Sequence, residues 1–199
     1  MRTGTLLTMM MAGGLLMGAA GAAQAQQVPD QGLDIGDVAP NFEALADNGT
    51  VWKSGEQRDG RILVVYFYPA AMTGGCTTQA CLFRDNRSKL LDMGADVVGV
   101  SGDRIANLKA FKGSNRLNFP LLSDTTGAIA AAFGVPTGEG GTITRQVDGE
   151  ELALTRDLTT ARWTFIIGRD GRIAYKAADV DPEGDTAAVI AAIERMTRG

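Results

Sequence analysis

Residues 62–94 read "ILVVYFYPAAMTGGCTTQACLFRDNRSKLLDMG". Ile62–Tyr68 is a continuous apolar, β-branched and aromatic run, the pattern of a strand buried on both faces. Pro69 ends it, because a proline cannot donate to a sheet ladder. Thr73, Gly74 and Gly75 then predict a turn. From Cys76 the pattern changes to that of a helix, with Ala80, Phe83, Leu90 and Leu91 forming part of its apolar stripe and Gly94 as its stop. A buried strand feeding a helix through a tight turn is the building unit of a parallel α/β sheet.

The segments on either side extend that unit. Residues 26–41 form a polar lead-in ending "GDVAP". Residues 96–101, "DVVGVS", read as a second buried strand and residues 104–113 as a helix. "FPLLSD" at 119–124 reads as a short strand, and "TTGAIAAAFG" as a helix stopped by Gly134. Residues 135–161 are polar and glycine-rich. A solvated loop is the expectation there, although "VDGE" contains an Asp-Gly pair suited to a hairpin turn. "RWTFIIGRDGRIAYK" predicts two strands about an Asp170-Gly171 turn, and "DTAAVIAAIERM" a closing amphipathic helix. The expected fold is α/β: one three-layer α/β/α domain with a mixed central sheet flanked by helices.

The chain has 199 residues, 45% hydrophobic and 21% charged, enough for a core that needs no cross-links. Its formal charge of −4 and scattered basic residues argue against a nucleic-acid or anionic-membrane surface. There is no histidine, which removes Ser–His and Cys–His catalysis and the commonest ligand of zinc, copper and haem iron. At the amino end, Arg2 precedes the apolar run "LLTMMMAGGLLMGAAGAA" and the small-residue site Ala23-Gln24-Ala25. That order predicts a secretory signal peptide over residues 1–25, a lead-in over 26–33 and the folded domain over 34–199, hence a periplasmic or secreted protein with no membrane association once the signal is removed. A retained membrane anchor is the rival reading of the same run.

The two cysteines of the chain, Cys76 and Cys81, lie five positions apart. Cys76 falls in the first turn of the expected helix, where free N–H groups and the positive end of the helix dipole favour an anion, so a thiolate is stabilised without histidine. Thr73 supplies a hydroxyl, and a distant arginine would complete the positive environment. A small cysteine packed inertly at a helix end is the alternative. Cys81 sits on the same helix. Residues i and i+5 of a regular helix are separated by roughly 8–9 Å between Cα atoms, whereas a disulfide needs about 7 Å or less. An intact helix and a Cys76–Cys81 bond therefore exclude one another, and pairing would require the first turns to unwind. Arg84, two turns beyond Cys76, reads as a partner in a structural salt bridge.

These residues resemble the peroxiredoxins. "PAAMTGGC" matches their Pro-x-x-x-Thr/Ser-x-x-Cys pattern at Pro69, Thr73 and Cys76, and residues 64–86 are similar to the bacterioferritin-comigratory-protein, or peroxiredoxin Q, branch of the AhpC/TSA-like proteins. "GDVAPNF" at 36–42, "NFPLLSD" at 118–124 and "RWTFIIG" at 162–168 match in order, so the resemblance spans about residues 34–197. It implies a thioredoxin-like fold, Cys76 as the peroxidatic cysteine, Cys81 as the resolving cysteine, Arg162 as the active-site arginine, Pro69 as a shield over the pocket and Thr73 as a hydrogen-bonding partner of the peroxide. It further implies a small hydroperoxide substrate and a thioredoxin-like reductant, with no cofactor and no metal required. With both cysteines in one segment, a monomer is expected. The branch usually carries proline where this chain has Gly74. The competing enzyme is an exported thiol–disulfide oxidoreductase, whose mark is C-x-x-C, whereas the spacing here is C-x-x-x-x-C. A binding domain with inert cysteines is the non-enzymatic reading.

Overall fold

The computed structural model describes residues 32–147 and 149–198, together with Met1. The expected signal peptide beyond Met1, and residues 26–31 of the expected lead-in, lie outside the described residues. Among the described residues no helix is long and apolar enough to cross a membrane.

The strand at Ile62–Phe67 (β3) is buried at every position, as its unbroken apolar run requires. It pairs in parallel with Ala95–Ser101 (β4) and antiparallel with Trp163–Ile167 (β8). Leu121–Ser123 (β5) extends the parallel side, and Ile173–Ala177 (β9) completes the β8 hairpin. The far edge is a hairpin of Glu43–Ala46 (β1) and Val51–Lys53 (β2), which the sequence pattern left unassigned. The sheet runs β2-β1-β5-β4-β3-β8-β9 and is mixed.

The alternation of β3 sets the layers. Ile62, Val64 and Tyr66 face a core shared with the helices Gly74–Asp92 (α2), Ile105–Asn115 (α3) and Asp185–Arg198 (α5). Leu63, Val65 and Phe67 face a second core with Ala128–Phe133 (α4). A short helix, Ser54–Gln57 (α1), follows β2. Two helical layers about a mixed sheet bear out the three-layer α/β/α expectation. Leu33, at the end of the lead-in, is buried in the second core.

Details of the expected elements shift. Helix α2 begins at Gly74, not Cys76, so the two glycines form its first turn and Thr73 is its N-cap residue. Its buried face consists of Cys76, Gln79, Ala80, Phe83 and Leu90, whereas Leu91 is exposed. Leu91 lies one step of about 100° from Leu90, off the side that meets the sheet. Helix α3 runs on to Asn115 and ends where Arg116 turns left-handed at φ 51°.

The largest departure is at 135–161. The expected solvated loop is an antiparallel ribbon of two 11-residue strands, Thr137–Val147 (β6) and Glu150–Thr160 (β7). Its polarity concealed a period-two pattern. Leu154, Arg156 and Thr160 alternate inward on β7 and are buried, although two of the three are polar. Arg156 tolerates burial because its Nε meets Asp103 at 3.4 Å, and Thr160 Oγ1 donates to the Tyr68 carbonyl at 2.9 Å. The ribbon base presses on Gly102, where an added Cβ would collide with the Leu158 carbonyl oxygen. Gly102→Ala is therefore expected to lift the ribbon from β4 and cost about 1–3 kcal/mol in urea denaturation, the range for overpacking a close contact.

Candidate active site

The parallel β3–β4 pairing ends at a loop, Tyr68–Thr73, that carries the chain over to α2. Its shape is held by one buried carboxylate. Asp103, fully buried just after β4, accepts the Ala71 N–H at 2.7 Å, the Ser101 hydroxyl at 3.0 Å and the Asn107 side-chain amide at 3.1 Å. Met72 then takes a left-handed conformation at φ 62°, uncommon for a residue with a side chain. Arg145, reaching across from β6, donates to the Met72 carbonyl at 3.0 Å. The ribbon thus grips the loop at both Asp103 and Met72.

Thr73 has extended geometry and gives α2 no side-chain cap. The first backbone bond of the helix runs from Thr77 N to Thr73 O at 2.8 Å. Helix geometry leaves the N–H groups of Gly74, Gly75 and Cys76 over, gathered at the positive end of the dipole. Cys76 Sγ sits there, 1% exposed. One side of it is apolar, since Cys76 shares a core with Tyr66, Tyr68, Ala71 and Phe83; the surroundings are less polar than the flanking glycines suggest. On the other side Arg162 Nη2 lies 3.3 Å from the sulfur. Gly75 lies beside this pair: a Cβ there would meet Arg162 Nη2 at an ordinary contact distance of 3.4 Å and Pro182 slightly closer, at 3.3 Å.

Arg162 reaches Cys76 because β8 is registered against β3, Trp163 opposite Phe67. Its direction is set by two residues that the sequence reading did not single out. Gln79 Oε1 accepts Arg162 Nη1 at 2.6 Å, and Gln79 Nε2 donates to Asp185 Oδ2 at 2.6 Å. The Thr164 hydroxyl donates to the same carboxylate oxygen at 2.8 Å. Gln79 was visible in principle, as a polar side chain on the buried stripe of α2. Asp185 was not, since an acidic residue at a helix start reads as an ordinary first-turn charge. Burial raises the Asp185 carboxyl above 3.8, against the opposing pull of its hydrogen bonds from Gln79 and Thr164. Burial, with the nearby Cys76 sulfur next, also raises the Tyr66 phenol well above its usual range.

The remaining expected residues are placed as follows. Thr73 Oγ1 donates to the Ala70 carbonyl at 2.8 Å. A hydroxyl has one hydrogen, so in this geometry Thr73 offers lone pairs to a ligand and no donor. Pro69 is partly exposed and opens the loop directly after β3 and Tyr68. Cys81 is half-buried, on the same unbroken α2 as Cys76, and both thiols are free. Among the described residues no cluster of three or more acidic, cysteine or histidine side chains is arranged to hold a metal ion.

Two outcomes are expected from this geometry. Gly74 occupies the first helical position, its missing Cβ faces open space, and Thr73 before it is extended at φ −101° and ψ 154°. Gly74→Pro should therefore stabilise the fold by about 0.4–1 kcal/mol in thermal or urea unfolding, by restricting the unfolded chain. Asp185 binds its proton more tightly folded than unfolded. The stability this contributes is full below 3.8 and is lost as pH rises through the raised folded value. Urea titrations of wild type and Asp185→Asn should show the wild type losing ground to the variant across that window.

The AhpC/TSA family model matches residues 35–176. The chain is 38% identical over 155 residues to a putative peroxiredoxin of Mycobacterium tuberculosis, covering 78% of this chain and 91% of that one. It is 38% identical over 143 residues to peroxiredoxin Bcp of Escherichia coli K12, covering 72% and 84%. With chloroplastic peroxiredoxin Q of japonica rice it shares 37% over 140 residues, covering 70% of this chain and spanning 57% of the rice protein's length. Among solved structures, M. tuberculosis peroxidoxin BcpB superposes with a TM-score of 0.69 at 30% identity, covering 82% and 98% of the two chains. Xanthomonas campestris peroxiredoxin Q gives 0.66 at 27%, covering 82% and 96%. The chain belongs to the AhpC/TSA family, on its peroxiredoxin Q/Bcp branch.

Proposed function

We propose that the protein is a thiol-dependent peroxidase that reduces hydrogen peroxide and organic hydroperoxides at Cys76. The observation that carries this reading is the Arg162 guanidinium 3.3 Å from the Cys76 sulfur at the open end of α2. A cation and leftover N–H groups around one sulfur favour the thiolate, which is the nucleophile.

In the proposed cycle the Cys76 thiolate attacks one peroxide oxygen. The O–O bond breaks, sulfur gains the S–O bond of a sulfenic acid, and the departing oxygen leaves as an alkoxide or hydroxide that takes up a proton. Arg162 and the N–H groups of the first α2 turn face that developing negative charge. Thr73, whose hydrogen is committed to Ala70, accepts the O–H of the incoming peroxide. Pro69 helps shield the site. Cys81 then condenses with the sulfenic acid to give an intrachain disulfide and water, and a thioredoxin-like dithiol donor reduces it. Because α2 is regular from Gly74 to Asp92, this step requires its first turns to unwind. The weak helix formers of "GGCTT" at 74–78 lower the cost of doing so. The amino-terminal pattern supports export to an oxidising compartment, where such a cycle depends on delivered electrons. Nothing in the cycle calls for a metal, haem or flavin.

The test is peroxide consumption by purified protein with a dithiol reductant or thioredoxin. Cys76→Ser should bring the rate down to background, and an unchanged rate would refute the assignment. Cys81→Ser should still form a sulfenic acid at Cys76, trapped by a dimedone-type reagent, but should lose most thioredoxin-supported turnover. After stoichiometric peroxide, the wild type should be lighter by two hydrogens, with residues 76 and 81 joined within one chain. Exchange with peptide disulfides without peroxide consumption would replace this reading with the thiol–disulfide oxidoreductase.

A further inference from the structure

We propose that Arg84 is the cation that serves Cys81, holding it as a thiolate in the intact helix, ready to attack the Cys76 sulfenic acid, and receiving the same sulfur again when the helix re-forms after reduction. This rests on the reading of Cys81 as the resolving cysteine.

Arg84 Nη1 lies 3.4 Å from Cys81 Sγ. The guanidinium is not free to wander from it. The same nitrogen donates to the Asn115 carbonyl at 2.6 Å, and Nε donates to Asp85 at 2.8 Å. The salt bridge expected for Arg84 is therefore present, yet its partner is exposed and water weakens that attraction. The other end of the guanidinium turns inward, to a half-buried sulfur and a backbone carbonyl. On α2, Arg84 is the charged group that touches the Cys81 sulfur, and Asp85 is the carboxylate paired with that guanidinium. Helix α3 presents the neutral Asn115, whose Oδ1 is 3.9 Å from the sulfur and whose amide is 3.7 Å from Met72 Sδ.

Arg84 also stands on the fixed side of the required hinge. Unwinding must involve the stretch from Cys76 to Cys81, but Arg84 follows it by three residues. Besides its bond to Asn115, its own carbonyl accepts Asn118 Nδ2 at 3.2 Å. The cation therefore stays tied to the end of α3 while Cys81, one turn away along the chain, moves toward Cys76. Each sulfur has its own guanidinium: Arg162 for Cys76 and Arg84 for Cys81.

The chemistry balances without a further reactant. The Cys81 thiolate attacks the sulfur of Cys76–SOH, the S–S bond forms, the S–O bond breaks, and hydroxide takes a proton to become water. The oxidising equivalents came from the hydroperoxide. In reduction, a donor thiolate attacks Cys76 and Cys81 leaves as a thiolate; the donor's second thiolate then attacks its own sulfur in the mixed disulfide, Cys76 leaves as a thiolate, and the donor dithiol ends as its disulfide.

The experiment uses Cys76→Ser protein, in which Cys81 is the remaining cysteine, and follows its alkylation by iodoacetamide against pH. Adding Arg84→Gln should move the midpoint of the profile upward and slow alkylation at neutral pH by about tenfold, the equivalent of one pH unit. Arg84→Lys, which keeps the charge, should restore most of the midpoint. With both cysteines present, rapid-quench mass analysis should show disulfide formation slowed by Arg84→Gln relative to sulfenic acid formation. An unmoved midpoint in Arg84→Gln, even with a changed rate, would overturn the proposal and leave Arg84 a structural tie. A wild-type protein that never forms the 76–81 disulfide would instead overturn the resolving role of Cys81, whatever the alkylation profiles show.

Discussion

The candidate active site depends on the contact between Arg162 and Cys76, residues 86 positions apart in the chain. A sulfur almost wholly removed from water, against tyrosine and phenylalanine rings, has little reason to ionise. In the proposed cycle the guanidinium and the helix N-terminus are what favour the thiolate there. Bringing a guanidinium to such a place carries a desolvation cost, and the network beyond it offsets that cost. Gln79 takes up Nη1, Asp185 anchors Gln79, and Thr164 anchors Asp185. The antiparallel register of β3 and β8 makes the arrangement possible, since it sets Arg162 beside the exit of the strand that leads to Cys76.

A second buried charge, Asp103, does for the loop what the Gln79–Asp185 pair does for the arginine. It gathers a loop N–H, a strand hydroxyl, a helix amide and the ribbon's Arg156 around one carboxylate. A carboxylate without solvent is tolerable only when so surrounded. The consequence is that the ribbon is structurally part of the active-site loop. Arg145 adds a second grip at the Met72 carbonyl, where the backbone takes an unfavourable left-handed turn.

The two cysteines pose opposite demands. An intact α2 aims Cys76 at Arg162 and keeps Cys81 at a distance, while a bond between them needs that helix to open. The composition of α2 reflects this division. Its first turns are Gly, Gly, Cys, Thr and Thr, whereas the remainder carries Phe83 and Leu90 into the core. In the proposed cycle the part that moves carries Cys76, Gln79 and Ala80 off the buried face, and the part that stays is held by Phe83 and Leu90.

The strand–turn–helix at 62–94, the β8–β9 hairpin and the closing helix were legible from composition and spacing, because each is governed by local periodicity and by glycine or proline at its ends. The family motif likewise marked Pro69, Thr73, Cys76, Cys81 and Arg162. The ribbon at 135–161 was misread as a loop because its inward positions are polar, and their burial makes sense only once Asp103 and the Tyr68 carbonyl stand opposite. Asp185 and the inward turn of Arg84 were hidden for the same reason, whereas Gln79 was visible in principle on the buried stripe of α2. The sequence by itself determined the order of elements, the three-layer architecture and the place of Cys76 at the start of a helix. The network of Gln79, Asp185 and Thr164 that holds Arg162 against that thiol was decided only by tertiary structure, since the relevant energies depend on charges and hydrogen-bonding groups brought together from distant segments out of water, and no local pattern records those distances.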